Sequence, residues 1–453
     1  MFNSPNQQSP KQEDRVELEG GAATTDITPR SSQFLYGYPF VRRYSTGVHD
    51  PLLSSALYLS DGQTRVIFIA NDVIYIGKAS AARIRERVST ATSVPSRNIM
   101  ITATHTHSGP ETLDILSTEG DPVIPRTDAE YVQFMEENVA LAAIEAVRRA
   151  RPVEVGLNTA DGTGIGMNRR DPMGPANPEV PVLMVRSLPD HSYIACMVVY
   201  SMHPTVLHED STLISADFPG MTRSYLQHEV LGLDCPVLYH TGPSGNQSPR
   251  HSTAANSFSE AKRLGRMLGK AIAKTISKID FVTPVSVTCC QEFVDLPPRS
   301  LPSVEQAQAT IELAKAKLTR LRAAVAPRQQ LRTAEVDYFG AEANLTLARA
   351  RTGHRLQRAI ESCLPAEIQM IKIGPWTFVG WQGEVFVEYA LAVKAQVKNT
   401  YLISLANGEL QGYISTEEAA ADGAYEAANA MFAPGCGTIL VNKTLEILMA
   451  WGR

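Results

Sequence analysis

The chain has 453 residues with 42 basic and 47 acidic side chains, and its net charge of −5 argues against nucleic acid as its main partner. Hydrophobic residues make up 44% of the sequence, enough for a large buried core. No segment approaches the roughly 18 uninterrupted apolar residues of a membrane-spanning helix, so none is predicted.

Residues 1–20 are polar and rich in proline and glutamine, without the apolar segment of a secretory signal. They predict a disordered tail ahead of one catalytic domain, residues 21–453. The six cysteines are scattered without a CxxC pair, which favours free thiols. We therefore expect a cytoplasmic protein with no stable membrane association and no nucleic-acid partner, and homo-oligomerisation stays open.

Strand-like and helix-like segments alternate along the chain, which predicts an α/β fold with a mixed β-sheet core layered with helices. Two amphipathic helical segments separated near Pro327 predict a helical hairpin over 303–352, at the surface or at a subunit contact. The predicted strands are 55–61, 64–72, 98–107, 180–188, 192–204, 235–242 and a β-hairpin in 366–386. The other predicted helices are 79–92, 129–150, 217–229 and 261–279.

Polar residues recur where apolar strands end. His105 and His107 alternate near the end of the predicted strand 98–107, so both rings are expected on one face of it. His203 follows another apolar strand, and Glu384 lies in an apolar segment where a lone buried carboxylate would be costly. Two histidines and a carboxylate from distant segments can form an open zinc site, but structural hydrogen bonding and ion pairing explain these residues equally well at this point.

The segment 240–251, HTGPSGNQSPRH, is predicted to be a loop after a strand. Its glycines allow the backbone to approach a ligand closely, and it offers Ser248 beside Arg250. It matches neither the G-x-S-x-G nucleophile elbow nor a phosphate-binding loop. The loop alone therefore assigns no chemistry.

The combination of motifs resembles the neutral/alkaline non-lysosomal ceramidase family. The resemblance begins near Asp26 and covers nearly the whole chain apart from the tail and, less closely, the hairpin. It corresponds to the family's catalytic domain, and we expect the family's C-terminal immunoglobulin-like domain to be absent. The motifs, in the family's order, are THTHSGP, GMNRR, HPTVL, ADFPG, GPSGNQSPR, QGEVF and NGELQGYISTEEAAADGAYEA.

The resemblance implies a ceramidase-like catalytic domain with one Zn²⁺ and assigns roles by motif. The implied zinc ligands are His105, His203, Glu384 and Tyr413. The implied catalytic residues are His107, which contacts the reacting group, Arg169 near the scissile amide, Tyr425 at the developing oxyanion, and Ser248. Ser248 either attacks the carbonyl or positions a metal-bound water, and the sequence leaves both roles open.

These assignments predict a zinc-dependent amidohydrolase that cleaves a small-molecule N-acyl substrate. The loop reads GNQSPR where ceramidases typically have GDVSPN, so the charge around Ser248 differs and the substrate is not expected to be restricted to ceramide. One alternative is a zinc-dependent ester or lactone hydrolase. Another is a catalytically silent binding protein that uses the helical hairpin as its contact surface.

Overall fold

A computed structural model describes residues 17–451, and most of this part of the chain lies in strands and helices. Residues 1–16 of the predicted tail lie outside the described residues, whereas Glu19 and Gly20 pair with Ser60 and Leu59 in the first strand. The strands are β1 Glu19–Asp26, β2 Gly47–Val48, β3 Leu53–Ser60, β4 Arg65–Asn71, β5 Ile99–Ala103, β6 Arg151–Asp161, β7 Met167–Asn168, β8 Glu179–Ser187, β9 Tyr193–Tyr200, β10 Leu213–Ile214, β11 Val237–Thr241, β12 Gln247–Ser248, β13 Val287–Val294, β14 Ala366–Ile373, β15 Trp376–Trp381, β16 Glu384–Val385, β17 Thr400–Ile403 and β18 Tyr413–Ile414.

The helices confirm the predicted segments and add several short ones near the C-terminal end. Helix α5 begins at a capping box, in which Ser303 and Gln306 each bond the other's backbone N–H. Together α5 and α6 form the predicted helical hairpin. The helices are α1 Lys78–Thr92, α2 Ala129–Arg148, α3 Asp217–Leu226, α4 Phe258–Ile276, α5 Val304–Ala323, α6 Arg328–Ala350, α7 Arg355–Cys363, α8 Val387–Lys394, α9 Glu417–Ala421, α10 Tyr425–Ala428 and α11 Gly437–Trp451.

Two mixed sheets form the core. The larger has the strand order β11-β9-β8-β6-β1-β3-β4-β5, and the smaller has the order β13-β14-β15-β17. In the larger sheet β4 pairs with β5 and β9 with β11 in parallel, whereas the other pairs are antiparallel. The mixed sheet expected from the alternating segments is therefore confirmed.

The sheets pack face to face, and helices cover their outer sides. In β4, Val66 and Phe68 lie in the apolar core between the sheets with Phe378 of β15. The alternate residues Ile67 and Ile69 lie against α1 and α2. Helices α3 and α4 cover the other half of the large sheet, and α8 and α11 cover the small one. This two-residue alternation produces four layers, helix, sheet, sheet and helix.

The large sheet curls so that its two edge strands, β5 and β11, approach each other. Thr102 Oγ1 of β5 lies 2.7 Å from Nδ1 of His240 in β11. The segment after β17 joins both edges, because Ser404 N donates to Thr241 O at 2.8 Å and Ala406 bridges Thr102. The loops that follow β5, β9 and β11 consequently meet at one place. In the described part of the chain, no helix is long and apolar enough to cross a membrane.

A buried ion pair ties α1 to the small sheet. Arg85 of α1 makes two hydrogen bonds, of 2.9 and 2.7 Å, to Glu367 of β14, and Asn407 Nδ2 donates to the same carboxylate at 2.8 Å. Both charged side chains are largely shielded from solvent. Removal of one partner would leave the other charge buried and unpaired.

We predict that Glu367→Ala lowers the free energy of unfolding by about 3–5 kcal/mol, because Arg85 loses its only carboxylate partner among the described residues. The control is Glu137→Ala at the exposed pair with Arg87, where the atoms are 3.8 Å apart and the expected loss is below about 1 kcal/mol. Chemical denaturation monitored by circular dichroism measures both. Equal losses for the two variants would contradict this view of the Arg85–Glu367 pair.

Candidate metal centre and active site

His105 and His107 lie in a loop. Strand β5 ends at Ala103, and His105 has a left-handed backbone with φ of 70°. The prediction that both rings share a strand face is therefore wrong about the backbone, because the strand ends before either histidine. The loop nevertheless brings the two Nε2 atoms to 3.3 Å from each other. A non-glycine residue held at positive φ is a costly conformation that is often found at functional sites.

His203 and Glu384 join this pair from two other segments. Glu384 Oε2 lies 3.2 Å from Nε2 of His105 and 3.0 Å from Nε2 of His203. His105, His203 and Glu384 are at most 4% exposed. The fold therefore brings His105, His203 and Glu384 together, which the spacing of these residues in the sequence could not show.

Backbone carbonyls fix the tautomer of all three rings. Nδ1 of His105 lies 3.0 Å from Ile74 O, Nδ1 of His107 lies 3.1 Å from Gly37 O, and Nδ1 of His203 lies 2.7 Å from Ser244 O. A carbonyl oxygen only accepts, so each Nδ1 carries a proton and donates it, which in the neutral ring makes Nε2 the unprotonated nitrogen. Each Nε2 is then left with a lone pair, and these lone pairs converge on one another and on a carboxylate.

Burial and neighbouring charges shift the pKa values of the groups in this cluster. Burial lowers the pKa of His203 to about 4, with a further contribution from the positive charge of Arg169. Burial and the neighbouring histidines also lower the pKa of His107 well below its usual value. Burial alone would raise the pKa of the Glu384 carboxyl, but His105 and His203 hold it well below its usual range. Neutral imidazoles facing an ionised carboxylate are the state in which these groups bind a metal ion.

The spacing of the donor atoms fits a small divalent cation. Ligand atoms about 2.0–2.2 Å from a tetrahedral zinc lie about 3.3 Å from one another. Glu384 Oε2 lies 3.0 Å from Nε2 of His203 and 3.2 Å from Nε2 of His105, and Nε2 of His107 lies 3.3 Å from Nε2 of His105. His105, His107 and His203 together form a group that could hold a metal ion. Carbonyls bonded to the opposite ring nitrogens are the usual outer support of metal-binding histidines.

Tyr413, the fourth residue of the predicted ligand set, lies beside Glu384 because β16 and β18 pair in parallel at these two residues. Its ring is 5.7 Å from that of Tyr425, and the guanidinium of Arg169 lies 5.3 Å from its centroid. Arg169 is in turn held by Glu426 at 2.7 Å. The predicted residues Arg169, Tyr413 and Tyr425 therefore form one cluster beside Glu384.

The loop after β11 supports both the histidine centre and Ser248. Ser244 O accepts the ring proton of His203, and Gly245 N donates to Val385 O at 2.9 Å, next to Glu384. A side chain at Gly245 would meet Glu384 O at 2.8 Å, so this approach requires glycine. Ser248 then pairs with Met167 in the β12–β7 ladder, which sets it near Arg169.

Ser248 lines a cavity together with His107, Arg169, Tyr413 and Tyr425. The four predicted catalytic residues therefore face one space. The Oγ of Ser248 accepts a hydrogen bond from Arg250 N at 3.3 Å, which leaves the hydroxyl proton of Ser248 free to be donated elsewhere. His107 also faces this space, and unlike His105 and His203 it is not fully buried. His107 thus touches both the donor cluster and the cavity.

A second cavity adjoins the first, and His107, Tyr413 and Tyr425 line both. Its lining also contains the carboxylates of Asp121, Glu342 and Glu384. The aromatic and aliphatic part of the wall includes Tyr36, Tyr38, Phe40, Ile74, Ile115, Ile124 and Phe339. Phe339 belongs to the helical hairpin, so the hairpin forms part of the wall of the site. This role of the hairpin could not be predicted from the sequence. The amphipathic pattern of α6 shows which of its residues are buried, but not which part of the protein they contact.

Tyr75 is the other functional residue that sequence reasoning missed. Its hydroxyl donates to Glu384 Oε1 at 2.8 Å, and its ring packs 5.3 Å from that of His105. It therefore fixes the carboxylate whose other oxygen faces the histidines. Its position, four residues after the polar end of β4, is the only sequence signal, and many structural tyrosines share it.

Comparison with known proteins agrees with this architecture. Residues 19–236 match the family described as "Neutral/alkaline non-lysosomal ceramidase, N-terminal". The chain is similar to neutral ceramidase from Pseudomonas aeruginosa, with a TM-score of 0.73 and 17% identity over 95% of this chain and 74% of that one. It is also similar to a structure described as ceramidase complexed with C2, with a TM-score of 0.72 and 16% identity over 94% of this chain and 74% of that one. The predicted family resemblance and the fold class are confirmed.

We predict that Tyr75→Phe weakens metal binding by about 10- to 100-fold, because Glu384 loses the hydrogen bond that orients it. Tyr36→Phe is the matched control, since Tyr36 lines the same cavity and its hydroxyl contacts Thr118 instead. Competition with a chromophoric chelator measures both affinities. Indistinguishable affinities in the two variants would show that Tyr75 does not support the centre.

Proposed function

Because residues 19–236 match the neutral/alkaline non-lysosomal ceramidase family, we propose that the chain is a zinc-dependent amidohydrolase that cleaves the amide of an N-acyl substrate. In this proposal its mechanism is ceramidase-like and its substrates are not restricted to ceramide. The observation that carries the proposal is the convergence of three imidazole lone pairs and one carboxylate beside a cavity lined by Ser248.

Zinc is the cation we propose because the donor set is nitrogen-rich. Imidazole favours zinc and related transition metals, whereas calcium and magnesium prefer oxygen ligands throughout. We assign His105, His203 and Glu384 as ligands, with Tyr413 as the fourth because it lies beside Glu384 in the β16–β18 pair. When bound, zinc would polarise the scissile carbonyl as a Lewis acid.

The proton transfers are assigned to His107. Its Nδ1 is committed to Gly37 O, so Nε2 is the ring atom available to take up a proton. Its lowered pKa keeps it neutral and able to accept at neutral pH. His107 would take the proton of the attacking hydroxyl, from Ser248 or from a water that Ser248 positions, and return it to the leaving amine nitrogen.

Arg169 and Tyr425 are assigned to the developing oxyanion. Burial is the main cause that raises the pKa of the Tyr425 hydroxyl, so it remains protonated and can donate a hydrogen bond. Glu426 holds Arg169 at 2.7 Å and so fixes its guanidinium beside Tyr413 and Tyr425. Donors that are already in place before the charge develops stabilise the transition state more than the ground state.

We predict that the purified protein holds about one zinc per chain, and that His203→Ala and Glu384→Ala each lose most of it, because each removes a ligand atom from the centre. Elemental analysis by mass spectrometry measures the metal content. His191→Ala, which removes an exposed histidine paired with Glu154, should retain the metal. If folded His203→Ala and folded Glu384→Ala each still held one zinc per chain, the ligand assignment would be rejected.

We predict that His107→Ala and Ser248→Ala retain zinc but lower kcat for amide hydrolysis by about 10²–10⁴-fold, since general acid–base work is of that size. Ser252→Ala, four residues along the same loop, serves as the matched control with near-wild-type turnover. A nucleophilic Ser248 would give an acyl-enzyme detectable by mass spectrometry after acid quench. Wild-type turnover in Ser248→Ala would reject both roles of that serine.

A further inference from the structure

Arg250, the last residue of the GNQSPR segment, forms no ion pair with a carboxylate among residues 17–451, and Glu426 is the carboxylate that acts on its charge from a greater distance. Its guanidinium makes only long contacts, 3.5 Å to Arg169 O and 3.4 Å to Thr333 Oγ1. Burial and the charge of Arg169 lower its pKa to about 10, so it is still charged at neutral pH. A partly buried cation with so few partners is costly unless a ligand supplies the missing charge.

The other cations around the cavity are already paired. Arg169 binds Glu426 at 2.7 Å, and Arg332 binds Glu209 at 2.8 Å and Glu335 at 3.2 Å. The lining of the cavity therefore has one arginine without an ion-pair partner among the described residues. In addition, Nη2 of Arg169 is buried with no hydrogen-bond partner in the described part of the chain, so it has a donor to spare.

Arg250 and the proposed reacting groups line the same cavity. Ser248, His107 and Tyr425 lie along it with Arg250 and Arg332. The adjoining cavity has no arginine or lysine in its lining, which combines aromatic and aliphatic side chains with the carboxylates of Asp121, Glu342 and Glu384. The acyl chain suits the aromatic and aliphatic part of that wall, and the carboxylates there disfavour an anion, which leaves the amine portion of the substrate facing Arg250.

We propose that Arg250 binds a carboxylate on the amine portion, so that the substrates are N-acyl amino acids or similar N-acyl compounds with one negative charge. This inference rests on the proposed amidohydrolase function and narrows its substrate class. A substrate with one negative charge matches the one arginine that has no ion-pair partner. A carboxylate also accepts two parallel hydrogen bonds from a guanidinium. Water would add across the C–N bond, with OH going to the acyl carbon and H to the nitrogen, to give a fatty acid and a free amino acid.

The test compares an N-acylglycine with the N-acylethanolamine of the same acyl chain, which replaces the carboxylate by a hydroxymethyl group. Calorimetry on zinc-loaded Ser248→Ala protein measures binding without turnover. We expect the N-acylglycine to bind about 10- to 100-fold more tightly, the usual effect of a hydrogen bond to a charged group. Adding Arg250→Gln should remove most of that ratio, and Arg250→Lys should keep part of it. Arg328→Gln, at an exposed arginine of the neighbouring cavity, should leave the ratio intact.

Equal binding of the two amides, or a ratio that Arg250→Gln leaves unchanged, would overturn the inference. If Arg250→Gln fails to fold, the inference is tested by the ratio of the two amide affinities in the Ser248→Ala protein and in the Ser248→Ala protein that also carries Arg250→Lys. Turnover by the wild-type protein separates the two proposals. Hydrolysis of the ethanolamide with a kcat/KM equal to that of the N-acylglycine contradicts the carboxylate subsite alone, whereas an intact binding ratio without hydrolysis of either amide contradicts the amidohydrolase function alone.

Discussion

Three backbone carbonyls orient the histidines of the candidate metal centre. Ile74 O, Gly37 O and Ser244 O hold the Nδ1 protons of His105, His107 and His203 and so direct three Nε2 lone pairs at one another. Glu384 adds a negative charge to the same space. With the rings in the neutral form that binds a metal, these acceptors have no proton to share, so the cluster is electrostatically unfavourable without a cation. The proposed ligand set, the proton-transfer role of His107 and the support from Tyr75 all depend on this constraint.

The curled sheet makes the constraint possible. β5 and β11 are opposite edges of an eight-stranded sheet, yet Thr102 and His240 bring them to hydrogen-bonding distance. Burial lowers the pKa of His240 to about 3, so this contact adds no charge to the core. The loops after β5, β9 and β11 then supply His105, His203 and Ser248 to one site, and β16 brings Glu384 from the smaller sheet region. A site built from strand ends lets a rigid core hold groups that are far apart in the chain.

The sequence predicted most strands and helices, because their apolar side chains recur with the periods of strands and helices. The family resemblance, and not residue spacing, predicted which residues would gather. The strand pattern gave the wrong local reason for His105 and His107, whose loop follows the end of β5 at Ala103. The backbone carbonyls that fix the rings carry no side-chain signal and could not be predicted. Tyr75 and Phe339 were missed because their contacts depend on the tertiary packing of the loop after β4 and of helix α6.

Zinc K-edge X-ray absorption on the zinc-loaded protein tests the central claim most directly, because it reports which atoms surround the metal. Imidazole rings give a distinctive multiple-scattering pattern, and nitrogen and oxygen ligands of zinc lie about 2.0–2.2 Å from it. We predict a shell of about four nitrogen and oxygen atoms at that distance, with scattering from at least two imidazoles that is lost when His105 and His203 are replaced. A shell of oxygen atoms alone, or one that is unchanged by those replacements, would contradict the account.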